Sequence, residues 1–297
     1  MSAIGLIEFN VWLDVVFFAL YGVVLVGLFG HFIGNIVTGR AKRRFFGWEW
    51  PEHEGPPVPT LPKFLHIQHV TCMILLAISG MYIRFPFFSG GRWAMRYVHY
   101  VAMVVVVANL IWRLWYAFGS RRRDYREFAL TKQDIVTAPK VILYYIFVKK
   151  SKPHLGKYNV MQKGTYILFV PLLIVQAITG FALLTYQIPF VGISPRDAIV
   201  GWWLGVLVGS TDLAGWFART THYIVNWLFI ILTTVHVYLS VTEDFPAFLS
   251  FFGMGFLDKR HGSDEGHGEG HGEDAQGSPA GVHEGSHEPA PVLSHAE

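Results

Sequence analysis

Two histidines, His222 and His236, sit 14 residues apart inside one long apolar run, 219–244. At 3.6 residues per turn that spacing falls just short of four turns. Both imidazoles then lie on nearly one helix face, about 21 Å apart along the axis. A histidine inside a membrane segment is costly without a partner, so two at opposite depths ask for two partners. Neutral imidazole is a natural axial ligand for haem iron, and two b-type haems, one near each membrane face, would meet the demand. The competing reading is two packing histidines hydrogen-bonded to neighbouring helices. For either residue alone that reading is favoured.

The composition sets the solvent. Of 297 residues, 52% are hydrophobic, 16% aromatic and only 15% charged, which departs from a soluble domain and points to an integral membrane protein. The single cysteine, Cys72, excludes both a disulfide framework and a Cys-based metal cluster. No phosphate-binding loop, dinucleotide fingerprint, zinc-protease motif or nucleophile elbow appears, and nothing suggests nucleic acid.

Hydropathy and length predict five spans, at 11–34, 64–84, about 96–118, about 164–186 and 217–241. The first has no basic leader and reads as a retained helix, with His31 as an interfacial side chain near its end. Residues 133–148 carry an apolar face broken by Pro139 and read as a helix on the membrane surface. Ile199–Gly209 is too short to cross and reads as a surface or re-entrant helix. Ala77-Ile78-Ser79-Gly80 is echoed by Ala177-Ile178-Thr179-Gly180, a small-residue pair that lets helices or a flat macrocycle approach closely. The fold class is all-α, with the last four spans forming a haem-binding four-helix bundle. The expected divisions are 1–62 (extra span and basic, Pro-rich loop), 63–245 (bundle) and 246–297 (a disordered His/Gly/acidic tail).

Loop charge gives orientation. Loops 35–63 and 119–163 hold 5 and 11 Lys or Arg, and the tail adds Lys259 and Arg260. The opposite side has Arg84, Arg92, Arg96, Arg196 and Arg219. The positive-inside rule then places the N-terminus outside and the tail in the cytoplasm of a bacterial or archaeal cell with a multi-pass cytoplasmic (inner) membrane protein. Depth follows: His66 and His236 are inner, His99 and His222 outer. Four histidines therefore pair by height, and the heights come from charge counts alone. His69 competes with His66, since both fall on one face. Arg96, Arg113 and Arg219 are placed to meet haem propionates, although headgroup anchoring explains each about as well.

At these residues the chain resembles the di-haem cytochrome b membrane subunits of respiratory NiFe-hydrogenases and formate dehydrogenases, over roughly 60–245. The run from His222 through His236-Val237-Tyr238 to Glu243-Asp244 is similar to the hydrogenase form, and His66 followed by Ser79-Gly80 matches the family's first haem-binding helix. That register selects His66 over His69, and His99 matches the ligand that opens the next helix. The segment Gly156-Lys157-Tyr158-Asn159-Val160-Met161-Gln162-Lys163 resembles the formate dehydrogenase gamma subunit, where it borders the quinone pocket. Two positions depart from the family, Ile67 for its usual aromatic and Met161 for a small residue in the quinone loop.

The resemblance implies two haem b groups ligated by His66, His99, His222 and His236, with Asn159 and Gln162 as partners of a quinone (menaquinone or ubiquinone). It also implies an iron–sulfur partner subunit and a catalytic subunit on which hydrogen or formate is oxidised. Related readings are a quinol-oxidising cytochrome b of a thiosulfate-type reductase and, from another class, a haem-free membrane transporter or anchor.

Overall fold

A computed structural model describes residues 3–50, 53–54, 57–121, 123–151, 158, 160–184, 186–187, 191–258 and 260–261. Among them the helices are α1 (Ala3–Val37), α2 (Arg40–Phe45), α3 (Thr60–Arg84), α4 (Arg92–Gly119), α5 (Tyr125–Phe128), α6 (Lys132–Tyr145), α7 (Val160–Ala182), α8 (Asp197–Val208), α9 (Thr211–Glu243) and α10 (Phe245–Ser250). Five of these, α1, α3, α4, α7 and α9, are long and apolar enough to cross a membrane. The one strand pairing among the described residues is a two-residue parallel bridge, His53 to Arg260 and Glu54 to His261.

The helices outrun the apolar stretches that announce them. α4 starts at Arg92 and α9 at Thr211, because a helix retains its backbone hydrogen bonds where the chain enters polar surroundings. Ser210 caps α9 by accepting from the Leu213 N–H, just after Gly209 turns the chain at φ 75°. α6 starts with a reciprocal capping box. Thr131 Oγ1 accepts from Asp134 N, and the Asp134 carboxylate accepts from Thr131 N.

α3 and α4 form a tight antiparallel hairpin, and α7 packs along α9. The centre of this bundle is an apolar layer of Cys72, Val106, Leu173, Val225 and Phe229, with Phe169 stacked on Phe229 at 5.5 Å. A second cluster of Ala182, Val200, Ala214 and Ala218 seats α8 against α7 and α9. Gly205 makes that approach possible, since a Cβ there would lie 3.3 Å from Thr211 Cγ2. The short 197–208 segment thus docks on the bundle, and most of it is π-wound, over Asp197–Gly205.

α1 lies outside the four-helix set and is fastened to α9 along its length. Tyr223 donates to Asp14 at 2.6 Å, Phe17 stacks on Trp227 at 5.9 Å, and Tyr21 meets Thr234 at 3.2 Å. His31, expected as a plain interfacial side chain, shares a 2.7 Å hydrogen bond with Tyr238. The chain does not leave the bundle at 246. α10 and the turn after it fold back over the end of α3, where Lys63 Nζ donates to Ser250 O at 2.9 Å. The rest of the expected tail, from 262, lies outside the described residues.

Candidate bis-imidazole sites

Four histidines come together as two pairs at opposite ends of the apolar layer. His66 of α3 faces His236 of α9 with ring centroids 6.5 Å apart, and His99 of α4 faces His222 of α9 at 6.4 Å. The spacing has chemical meaning. A metal–imidazole bond of about 2.0 Å plus about 1.1 Å from nitrogen to ring centre would put two rings on one metal roughly 6.2 Å apart. Among the described residues no group of three or more His, Cys, Asp or Glu side chains could hold a metal. Two imidazoles are half of a four-ligand site, and complete the coordination only of a metal whose equatorial donors arrive with it, as porphyrin nitrogens do. The donor set fits a haem at each end.

The His99/His222 end is also oriented. Ser79 Oγ donates to Leu75 O at 2.6 Å, so toward the Nδ1 of His99, 2.9 Å away, it acts as acceptor. Thr179 repeats the arrangement, donating to Val175 O at 2.7 Å and accepting from His222 Nδ1 at 3.1 Å. With the proton held on Nδ1, Nε2 is the nitrogen left for ligation, and at His222 a bound metal would displace the Gln176 amide that now meets it at 3.2 Å. The neighbouring glycines make room for the rings themselves. A Cβ on Gly80 would stand 3.3 Å from His99 Cε1, and one on Gly180 would stand 3.0 Å from His222 Cε1. The repeated Ser/Thr-Gly pair is therefore an imidazole seat: the hydroxyl fixes the tautomer and the missing side chain admits the ring.

Sequence reasoning missed Gln176, whose amide Nε2 lies 3.2 Å from His222 Nε2 while its Oε1 is buried with no partner among the described residues. Its signal was available: Gln176, Thr179 and Gly180 follow an i, i+3, i+4 pattern on one helix face. Arg96 and Arg219, read from the sequence as propionate partners, each stand three residues before a paired histidine.

The His66/His236 end is built differently. Neither imidazole makes a hydrogen bond among the described residues, but the His66 ring packs on Phe251 at 4.8 Å, behind α10. His69, one turn on, has no ring contact among the described residues. An open cleft of about 460 Å³ adjoins His66, lined by Thr60, Lys63, Phe64, Ile67, Ser250 and Phe251 among others.

The remaining predicted site residues divide. Arg96 and Arg219 are exposed and carry no ion pair among the described residues. Arg113 is committed elsewhere, with both its terminal nitrogens on the Asp124 carboxylate at 3.1 and 3.0 Å. Gln162 occupies the first turn of α7, beside Lys163, which reaches Asp134 at 2.9 Å. Asn159 lies outside the described residues.

Comparison with known proteins places this geometry. The chain is 24% identical over 184 residues to the "Probable Ni/Fe-hydrogenase B-type cytochrome subunit" of Azotobacter vinelandii, covering 58% of this chain and 74% of that one. It is 26% identical over 198 residues to the protein of the same name from Rhizobium leguminosarum bv. viciae, covering 61% and 78%. The "Probable Ni/Fe-hydrogenase 1 B-type cytochrome subunit" of Escherichia coli (strain K12) is 25% identical over 194 residues, covering 61% and 80%. The family described as prokaryotic cytochrome b561 matches residues 58–254, which take in all four paired histidines, both imidazole seats and α10. Two imidazole pairs strung along one helical bundle, within a match of that extent, make this chain a member of the prokaryotic cytochrome b561 family and a multi-pass, all-α membrane protein.

Proposed function

We propose that this chain is a di-haem b-type cytochrome that anchors a hydrogenase-type complex to the inner membrane and connects it with quinone. The observation that carries the reading is the double pairing, His99 with His222 and His66 with His236, at opposite ends of one bundle. Haem held between His99 and His222, or between His66 and His236, would supply a one-electron couple there.

The protein's own residues do the rest. Ser79 and Thr179 hold the Nδ1 protons of the first pair, and Gly80 and Gly180 fix how closely those rings approach α3 and α7. Arg96 and Arg219 stand one turn away as cationic partners for propionates. Loop charge supports the N-terminus outside and the His99/His222 end facing outward, where an iron–sulfur subunit would dock with its catalytic subunit. The His66/His236 end then faces the cytoplasm. The cleft beside His66 supports a quinone at that end, with Gln162 and Asn159 as further hydrogen-bonding candidates. The relatives' names favour a hydrogenase over a formate dehydrogenase as partner.

A reduced-minus-oxidised spectrum with haem quantification on the purified chain tests the reading. Two haem b per chain are expected, falling to one on replacement of either His222 or His236 by Ala. A colourless protein, or two haems surviving both replacements, refutes it.

A further inference from the structure

Where α1 ends, the chain turns at Gly39 (φ 71°) into α2 and meets α6 and the last residues of α9. A cleft of about 280 Å³ opens there, lined by Arg40, Arg43, Arg44, Glu49, Trp50, Tyr144 and Lys150. Its charges are not balanced. Arg44 is neutralised, with its two terminal nitrogens donating to the two Glu243 oxygens at 2.8 and 2.9 Å. Among the described residues Arg43 has only Glu49, at 3.9 Å and largely in solvent, a contact of little weight.

Arg40 is the anomaly. It is 6% exposed, yet no carboxylate lies within ion-pair distance among the described residues. Its guanidinium lies over the Tyr144 ring at 4.1 Å and donates to two backbone carbonyls, Tyr144 O at 3.1 Å and Lys149 O at 2.8 Å. A buried guanidinium without a counter-ion is costly, and carbonyls satisfy its donors without cancelling its charge. Lys150 adds a further cation on the same rim, and Trp50, which also lines the cleft, has a buried Nε1–H with no acceptor among the described residues.

Place and surroundings identify the missing anion. The cleft lies just past the end of one crossing helix, Val37, and at the end of another, Glu243, which is headgroup level. Adjoining residues along the chain are exposed and apolar: Val37, Phe46, Ile146 and Val148. A free phosphate would match the cations and leave those side chains in water, whereas a phospholipid would cover both. The arginines of α2 precede the family match, so the cleft depends on the additional helix and its loop.

We propose that this cleft binds the phosphodiester headgroup of an anionic membrane phospholipid, with Arg40, Arg43 and Lys150 supplying the charge. The test is native mass spectrometry of the delipidated full chain in detergent, titrated with phosphatidylglycerol, phosphatidylcholine or inorganic phosphate. Phosphatidylglycerol is expected to be retained over phosphatidylcholine. Because Arg43 and Lys150 are exposed, the R43Q/K150Q variant keeps its fold and should lose phosphatidylglycerol affinity by about fivefold per cation removed. Lys132→Gln, at the start of α6 and off the cleft, should bind as the parent does. Equal binding of the two lipids, or unchanged affinity in R43Q/K150Q, overturns the proposal. Displacement of phosphatidylglycerol by an equal concentration of inorganic phosphate assigns the cleft to a free anion and overturns the lipid reading. Arg40→Gln should weaken binding further, and if that variant unfolds the double variant alone decides.

Discussion

Gly180 lies against His222 so closely that a Cβ on the glycine would stand 3.0 Å from the ring's Cε1. The contact is tight enough that the imidazole, held by Thr179 on one side, must give way to any side chain. Gly180→Ala should therefore displace the ring and remove one haem of two, measured by haemochrome quantification. Gly80→Ala meets His99 at 3.3 Å, a looser fit, and should weaken rather than abolish haem retention at the same end.

Removing the hydroxyls separates tautomer control from space. Ser79→Ala and Thr179→Val leave the glycine seats intact but take the acceptor from each Nδ1–H. Loss of such an outer partner weakens metal binding by about 10- to 100-fold. Redox titration should show one haem shifted and the other unmoved, because among the described residues no equivalent hydroxyl contacts His66 or His236. Ser79→Thr keeps the acceptor and should restore the parent curve.

The Arg44–Glu243 pair ties the loop after α1 to the end of α9, with Tyr144 at 2.6 Å as a third member. Glu243→Gln leaves Arg44 buried without a countercharge and should cost about 3–5 kcal/mol. The double variant R44M/E243L removes both charges and should recover most of the loss. Thermal unfolding in detergent, followed by circular dichroism, compares the three proteins.

Asp134 supplies a pH signature. The Thr131 backbone N–H beside its carboxyl, helped by Lys163, holds it below the ordinary carboxylate range. A carboxyl lowered in the folded state contributes stability that is complete above the unfolded value of about 3.9 and fades as pH falls through the folded value. Asp134→Asn should thus unfold at lower temperature than the parent by a constant margin from pH 5 to 8. Below about pH 4 the margin should shrink. A margin that widens in acid would refute this role.

The five crossings were legible because twenty or so apolar residues in a row admit few structures, and the pairing of histidines followed once charge had set each helix's direction. What the sequence hid is contact made across helices. Gln176 reads as one polar residue on an apolar stripe, and only the fold sets it at His222 Nε2. Arg113 looks as free as Arg96 until Asp124, 11 residues on, is brought back against it. Phe245–Ser250 lacks the length of a span and so reads as the start of the tail. Its helix exists because the end of α3 is there to receive it. The docking of α8 is hidden for the same reason, since small residues such as Ala214 and Ala218 advertise nothing until a neighbour fills the groove.

The apolar layer of Cys72, Val106, Leu173, Val225 and Phe229 lies between the two histidine ends and draws on all four helices α3, α4, α7 and α9. Side chains packed this closely leave few voids, and a change of size at one of them is passed to its neighbours. The two imidazole pairs thus share one close-packed partition, so a cavity opened in it would be felt at both ends of the bundle at once.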